Sequence, residues 1–274
     1  MTLSAEQLAH YRANGWVAPV DVMTAAEAAR LLLFLEEAEA EYPNELHAEN
    51  RNNPHLSFPF LAELVQDSRI VDAAAQIVGN DISLWSTVLF VKEPSTSAFV
   101  SWHQDAKYLS LAPDDHVTAW LALTSSTIEN GCVSVIPETH RDGEMTHDDT
   151  FRDDNILTRG QEVPGIDESS VVHLELQPGQ MSLHHPWLVH GSQPNRSNGR
   201  RVGIAMQTYM GADVRPLRGT HFVTHIRGAQ PVDDFKVVPP PSTPNSPEAR
   251  SNREAVNQAF ADILYDGAKV RRKL

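Results

Sequence analysis

Between residues 82 and 210 the chain alternates short apolar, β-branched runs with turn-forming residues, and this alternation narrows the possible folds more than any other feature. The runs are 82–91, 117–123, 133–136, 171–176, 181–185 and 202–210. Each is short for a helix and rich in residues that fit a pleated sheet. Pro94, Pro113-Asp114, Asn130-Gly131, Pro178-Gly179 and the stretch from Asn195 to Gly199 divide them. These residues supply the fixed or positive φ that tight turns require. Many short strands so punctuated predict a mainly β fold, an antiparallel sandwich or jelly-roll barrel, with flanking helices.

The flanks read differently. Ser4-Ala5-Glu6-Gln7 predicts an N-cap and a short helix ending near Asn14-Gly15. Thr24 with Glu27 three residues on is a capping-box pattern, opening a helix that carries Ala28, Leu31, Leu32 and Leu35 on one face. Residues 44–59 are polar and broken by prolines, hence a loop, and residues 69–78 predict a helix stopped by Gly79. Residues 142–170 form a long acidic insertion, a candidate lid. The proline-rich stretch 231–247 is expected to be extended and to wrap the surface, and Ser246-Pro247-Glu248 starts a last helix. The expectation is one domain over 1–274: a helical flank to residue 80, a β core from 82 to 210, and a C-terminal wrap and helix from 211.

Charge excludes some partners. A formal net charge of −14 argues against nucleic acid or an anionic membrane surface, both of which demand basic patches. The single cysteine, Cys132, excludes an internal disulfide and a cysteine-based zinc site. The first residues lack a basic and apolar leader, and no apolar run approaches the length of a membrane span. These features predict a cytoplasmic monomer or homodimer acting on a small molecule.

Within the β region, His103-Gln104-Asp105 sets an imidazole and a carboxylate two residues apart. On a strand they would share a face and supply two members of the 2-His-1-carboxylate set that holds non-haem iron. Composition alone yields such a pair about once in a chain like this. A second copy, His147-Asp148-Asp149, does occur, in an acidic stretch that reads as a solvated loop. His190, before a turn and a strand, is the candidate third ligand. Arg201 opens that following strand, where a guanidinium could pair bidentately with a dicarboxylate. His184 and His185 lack an arginine at that distance, and His173 lies in a run that reads as core.

Several segments in order resemble the phytanoyl-CoA dioxygenase family. They are Trp102-His103-Gln104-Asp105 with Tyr108, Val117-Thr118-Ala119-Trp120, Glu129-Asn130-Gly131-Cys132 with Ile136-Pro137 and His140, Pro178-Gly179 with Met181 and His184-His185, His190-Gly191-Ser192 with Pro194-Asn195, and Arg201. The resemblance implies a double-stranded β-helix and an Fe(II)/2-oxoglutarate oxygenase that uses O2. It implies His103, Asp105 and His190 as catalytic iron ligands, Arg201 on the far carboxylate of 2-oxoglutarate, and Ser192 and Trp120 lining that pocket. Family halogenases carry a small residue in place of the carboxylate ligand; here Asp105 is present, which implies hydroxylation.

Other readings stand beside these. Arg200 should point away from Arg201 as a surface charge, Trp102 and Cys132 are expected in the core, and His184 and His185 read as packed strand histidines, with support behind the metal ligands as the alternative. For the prime substrate, Lys107, Tyr108, His55 and Arg215 are the candidates, with Arg51, Lys92 and Gln207 behind them. Basic groups there would suit a small polar metabolite of amino-acid, aminophosphonate or natural-product type. A zinc hydrolase, an oxygenase that needs no 2-oxo acid, or a non-catalytic ligand-binding barrel remains open on the residues alone.

Overall fold

The computed structural model describes residues 2–268, 270 and 271. Two antiparallel sheets form a jelly-roll sandwich. The larger has seven strands in the order Trp16–Asp21, Gln180–His184, His116–Ala122, Arg201–Met210, Ile82–Lys92, His221–Arg227 and Phe235–Val237, of which only the last pair is parallel. The smaller has four, Val100–His103, His190–Ser192, Val133–Val135 and Val172–Leu174. The large sheet therefore recruits strands from both expected flanks. Trp16–Asp21 lies between the first two helices, and Phe235–Val237 interrupts the proline-rich wrap.

Period-two alternation sorts each central strand between two chemistries. Val117, Ala119 and Leu121, with Val202, Ile204 and Met206, face a helical layer and join one apolar core with Leu35, Leu61, Ile70, Val71 and Val78. That layer is built from Ala25–Glu41, Pro59–Leu64 and Ser68–Val78. Capping boxes open the first two long helices, Ser4 with Gln7 and Thr24 with Glu27. Pro59–Leu64 lies just past the loop read over 44–59, in a stretch with no assigned element; its start is Pro59 itself, whose missing N–H costs nothing in a first helical turn.

Residues Trp120, Ala122 and Ala205 of the large sheet meet Val133, Val135 and Leu174 of the small one, and this second cluster closes one end of the sandwich. Gly203 is required there, because a Cβ on it would lie 2.1 Å from the Trp120 ring. Farther along the same strand the register slips between Met206 and Tyr209, and Thr208 takes φ +73°, a costly conformation for a β-branched residue. Gln207 follows Arg201, Gly203 and Ala205 on the inward face, and the bulge beyond it turns Tyr209 to the helical core, its hydroxyl donating to Val65 O at 2.7 Å.

The acidic insertion is bound along the strand that ends in His103. Ile156 N donates to Phe99 O at 2.8 Å, Phe99 N to Asp154 O at 3.0 Å, and Val163 N to Trp102 O at 2.7 Å. The last helix, Pro247–Leu264, opens on Ser246 and crosses the other side of the mouth. Its buried Arg253 donates to the carbonyls of Asn52 and Glu45 at 2.8 and 2.9 Å, tying it to the turn around Arg51. Among the described residues no helix is long and apolar enough to cross a membrane.

Candidate metal centre

His103 ends its strand and His190 begins the neighbouring one, and the two are direct partners in the antiparallel ladder. Cross-strand partners share a face, so the imidazole centroids lie 4.1 Å apart. Each ring is held the same way. His103 Nδ1 donates to Ser101 O and His190 Nδ1 to Leu188 O, both at 2.9 Å. With the hydrogen on Nδ1, each Nε2 keeps a bare lone pair, the form in which imidazole binds a metal.

Asp105 arrives by a route the strand period does not describe. The strand stops at His103, and Asp105, at φ −56° and ψ −44°, opens the short helix Ala106–Leu109. Its Oδ1 lies 3.5 Å from His103 Nε2 and 3.7 Å from His190 Nε2. The three ligand atoms all lie within 4.8 Å of one another, and all three residues are buried. First-row ions bond such donors at about 2.0–2.2 Å, so donors at right angles stand roughly 3 Å apart, a small contraction from this arrangement. Burial pushes the Asp105 carboxyl up, but His190, His103 and His184 around it bring it well below the ordinary carboxylate range. Burial, with His103 and His184 nearby, holds the His190 imidazole well below its ordinary value. An ionised carboxylate with a neutral imidazole is the protonation state that ligation needs.

Both oxygens of Asp105 have further partners. Oδ1 accepts from Gln207 Nε2 at 3.1 Å; Oδ2 accepts from Thr118 Oγ1 at 2.9 Å and faces His184 Nε2 at 3.4 Å. Of the two sequence readings of His184, packed strand histidine or support behind a ligand, the contact with Asp105 matches the second, and Thr118 carries no separate sequence reading. The signal was present in the alternation, since Thr118 lies two residues from Trp120 on the inward face.

From this centre a cavity of about 510 Å³ runs toward Arg201, past Trp120, Ser192 and Ala205. Arg201 is 1% exposed, and its guanidinium carbon lies 5.2 Å from the centre of the Trp120 ring. Its Nε has no hydrogen-bond partner, and among the described residues no carboxylate pairs with it. Burial pushes it down to about 10. Its ladder partner is Lys92, also fully buried, which donates to Ser192 O at 3.2 Å, to Ser192 Oγ and to Gln193 O. Three acceptors suit an ammonium, but burial and then Arg201 push Lys92 down to about 6. Ser192 Oγ passes its own hydrogen to Gly131 O at 2.7 Å. A buried guanidinium with no carboxylate beside it is costly, and it keeps the neighbouring Lys92 from charging; a bound anion would offset both effects.

A second chamber of about 500 Å³ opens from the same face, sharing Phe90, His103, Asp105, Leu157 and Gln207 with the first. Arg51, Tyr108, Arg159, Phe260 and Leu264 wall its far side. Of the four substrate candidates read from sequence, only Tyr108 lines it, its ring 6.0 Å from that of His103 and its buried hydroxyl without a partner. His55 is a satisfied core histidine, bonded to Thr87 Oγ1 at 2.7 Å and Thr224 Oγ1 at 3.1 Å and pushed by burial down to about 3. Lys107 points outward to an ion pair with Glu144. Arg215 bonds the carbonyls of Ala212 and Val214 where a small ribbon pairs Arg215–Pro216 with Leu111–Ala112. Of the reserve candidates, Arg51 and Gln207 line the second chamber, and Lys92 sits behind Ser192 of the first. His173 is exposed rather than core, and Arg200 faces out to Glu39 and Glu93 as alternation required.

The relatives agree with this geometry. The sequence pattern of the phytanoyl-CoA dioxygenase family matches residues 11–203. A probable alpha-ketoglutarate-dependent hypophosphite dioxygenase of Stutzerimonas stutzeri is 31% identical over 169 residues, 61% of this chain and 58% of that protein. The peroxisomal phytanoyl-CoA dioxygenase of Homo sapiens is 30% identical over 132 residues, 46% of this chain and 39% of that one. The chain thus matches between about two fifths and three fifths of the length of these two relatives. Among solved structures, the apo form of the non-heme monooxygenase ThoJ superposes with a TM-score of 0.81 at 28% identity, covering 94% of this chain and 97% of that one. Its family pattern covering well over half its length, the chain belongs to the phytanoyl-CoA dioxygenase family.

Proposed function

We propose that this protein is an Fe(II)- and 2-oxoglutarate-dependent dioxygenase that hydroxylates a C–H bond of a small metabolite, with release of succinate and CO2. The observation that carries this reading is the pairing of a His103–Asp105–His190 donor set with a buried, carboxylate-free Arg201 at the other end of one cavity. A hydrolytic metal site has no use for that guanidinium; a dicarboxylate cosubstrate does.

His103, Asp105 and His190 would hold the iron through His103 Nε2, Asp105 Oδ1 and His190 Nε2. Iron and the 2-oxo acid, when bound, supply the oxygen activation that no side chain can. The chain's own work is positional. Arg201 would fork onto the far carboxylate, with Lys92 and Ser192 Oγ beside it and the Trp120 ring beneath. Trp120 and Gly203 close that end against water. Asp105 would give the metal a carboxylate ligand, which supports hydroxylation over halide transfer.

The second chamber is the place for the prime substrate. Its walls are largely apolar, with Arg51, Thr158 and Arg159 at one side. Asp105 is the only carboxylate among its lining residues, so a substrate amine finds no counter-ion there. An apolar body with an oxygen-bearing end, carboxylate or phosphonate, fits better than a free amino acid. The named activity of the hypophosphite dioxygenase relative is consistent with an oxyanion end.

The test is conversion of 2-oxoglutarate to succinate by iron-loaded protein in air, without added prime substrate. Slow, Fe(II)-dependent succinate formation is expected. Absence of both conversion and 2-oxoglutarate binding would remove the reading and bring another metal chemistry forward.

A further inference from the structure

We infer that His184 and Thr118 act together as positioning residues that hold Asp105 to one-oxygen ligation of the metal. The inference rests on the metal-centre reading above. Thr118 and His184 are direct partners across the antiparallel pair His116–Ala122 and Gln180–His184 of the large sheet. Both are about 2% exposed or less, and both side chains reach the same atom, Asp105 Oδ2, at 2.9 and 3.4 Å. The other oxygen, Oδ1, is the one that faces His103 and His190. The two oxygens are therefore sorted: Oδ1 faces the ligand nitrogens and takes one hydrogen from Gln207 Nε2 at 3.1 Å, whereas Oδ2 is turned away from them and held by Thr118 and His184.

Local structure does not do this sorting. Asp105 opens a helix of four residues, yet its side chain makes no capping bond to that helix. A carboxylate on such a turn is free to rotate, and rotation would present both oxygens to an ion. Donors from a second, rigid element fix ligand orientation, which is the general role of groups one bond beyond the metal. Tying off Oδ2 keeps the carboxylate from filling a second coordination position.

His184 is not itself a ligand in this arrangement. An ionised carboxylate only accepts, so the Nε2 facing Oδ2 carries the hydrogen and has no lone pair to offer. The close ring contact with His190, 4.4 Å between centroids, is the consequence of sharing one carboxylate between two sheets. Core packing does not explain the residue either, because its Nδ1 is buried without a partner, which an apolar ring at this position would avoid.

The experiment is Co(II) binding to the full-length chain, followed by affinity and by the ligand-field spectrum, for His184→Phe, His184→Gln and Thr118→Val. His184→Phe and Thr118→Val should each weaken Co(II) by about 10- to 100-fold, the usual cost of losing such a partner. Both should shift the spectrum, and His184→Gln, which restores an N–H donor, should recover part of the loss. Parent-like affinity and spectrum in both Phe and Val variants would overturn the inference and leave His184 a core residue. Complete loss of binding in His184→Phe, equal to that in His190→Ala, would overturn it in the other direction and make His184 a ligand. If His184→Phe does not fold, Thr118→Val, nearly the same shape without the hydroxyl donor, decides alone. Failure of the parent itself to bind Co(II) would instead sink the metal-centre reading.

Discussion

The chain carries the pattern His-x-Asp twice, at His103/Asp105 and at His147/Asp149, and the two copies meet opposite fates. In the first, both residues are buried, and their unspent atoms converge with His190 Nε2. In the second, His147 Nε2 accepts from Gln104 N at 3.2 Å and Nδ1 bonds Met145 O at 2.9 Å. Asp149 is spent on Arg159, at 2.9 and 3.0 Å, and on Gln161. Spacing is common to both; a cross-strand histidine and a ring Nε2 that no backbone donor has taken belong to one. Ligand competence is thus a property of sheet register and leftover valence rather than of the tripeptide.

The comparison breaks most sharply at the ligands. Replacing His103, Asp105 or His190 with Ala should abolish stoichiometric Fe(II) binding, measured by metal analysis after gel filtration, while circular dichroism stays near that of the parent. Full iron occupancy in His190→Ala would make His184 or His185 the third ligand. Asp105→Gly should lose hydroxylation without loss of the Arg201 pocket, and efficient turnover by this variant would contradict a ligand role for Asp105.

Smaller effects sharpen the other end of the cavity. Arg201→Lys should bind 2-oxoglutarate more weakly than the parent but better than Arg201→Ala, since a point charge replaces only part of a fork. Arg200→Ala, which removes an outward ion pair with Glu39 and Glu93, should leave binding unchanged. Lys92 adds a pH signature. Its pKa of about 6 without ligand leaves it largely neutral above that pH, and a dianion beside it would raise that value. Binding at pH 7.5 should therefore take up a proton, and affinity should fall as pH rises. Calorimetry in buffers of different ionisation enthalpy reads this directly; equal heats in all buffers would contradict it. The smallest effect closes the comparison. His147→Ala with Asp149→Ala should leave iron stoichiometry intact and cost about 1 kcal/mol or less in stability, as a partly exposed ion pair does.

How much of this the sequence disclosed follows from which interactions are local. Capping boxes at Ser4 and Thr24, the Ser246 cap and the strand runs are signals within a few residues, and they read correctly. Trp16–Asp21 escaped because a six-residue strand with a central proline, between two helices, has no local signature of its partner Gln180–His184. Motif order pointed to His103, Asp105, His190 and Arg201 as one site, and these residues do come together around one cavity. The clamp on Asp105 was not legible in this way, because Thr118, His184 and Gln207 converge from three strands far apart in the chain. Substrate candidates chosen by nearness in sequence failed for the same reason. Lys107 follows the ligand strand by a helical turn that points it outward, whereas Tyr108, one residue on, faces the chamber.

The central claim is that Arg201 exists to hold a dicarboxylate beside the iron. Its direct test is anaerobic titration of the Fe(II) protein with 2-oxoglutarate, following the weak visible charge-transfer band that chelation of a 2-oxo acid produces. The parent should show a saturable band. Arg201→Ala should bind Fe(II) normally and need at least about tenfold more 2-oxoglutarate, the lower end of what losing one partner of a buried charge pair costs. Equal affinity in parent and variant would place the carboxylate clamp elsewhere and contradict the account.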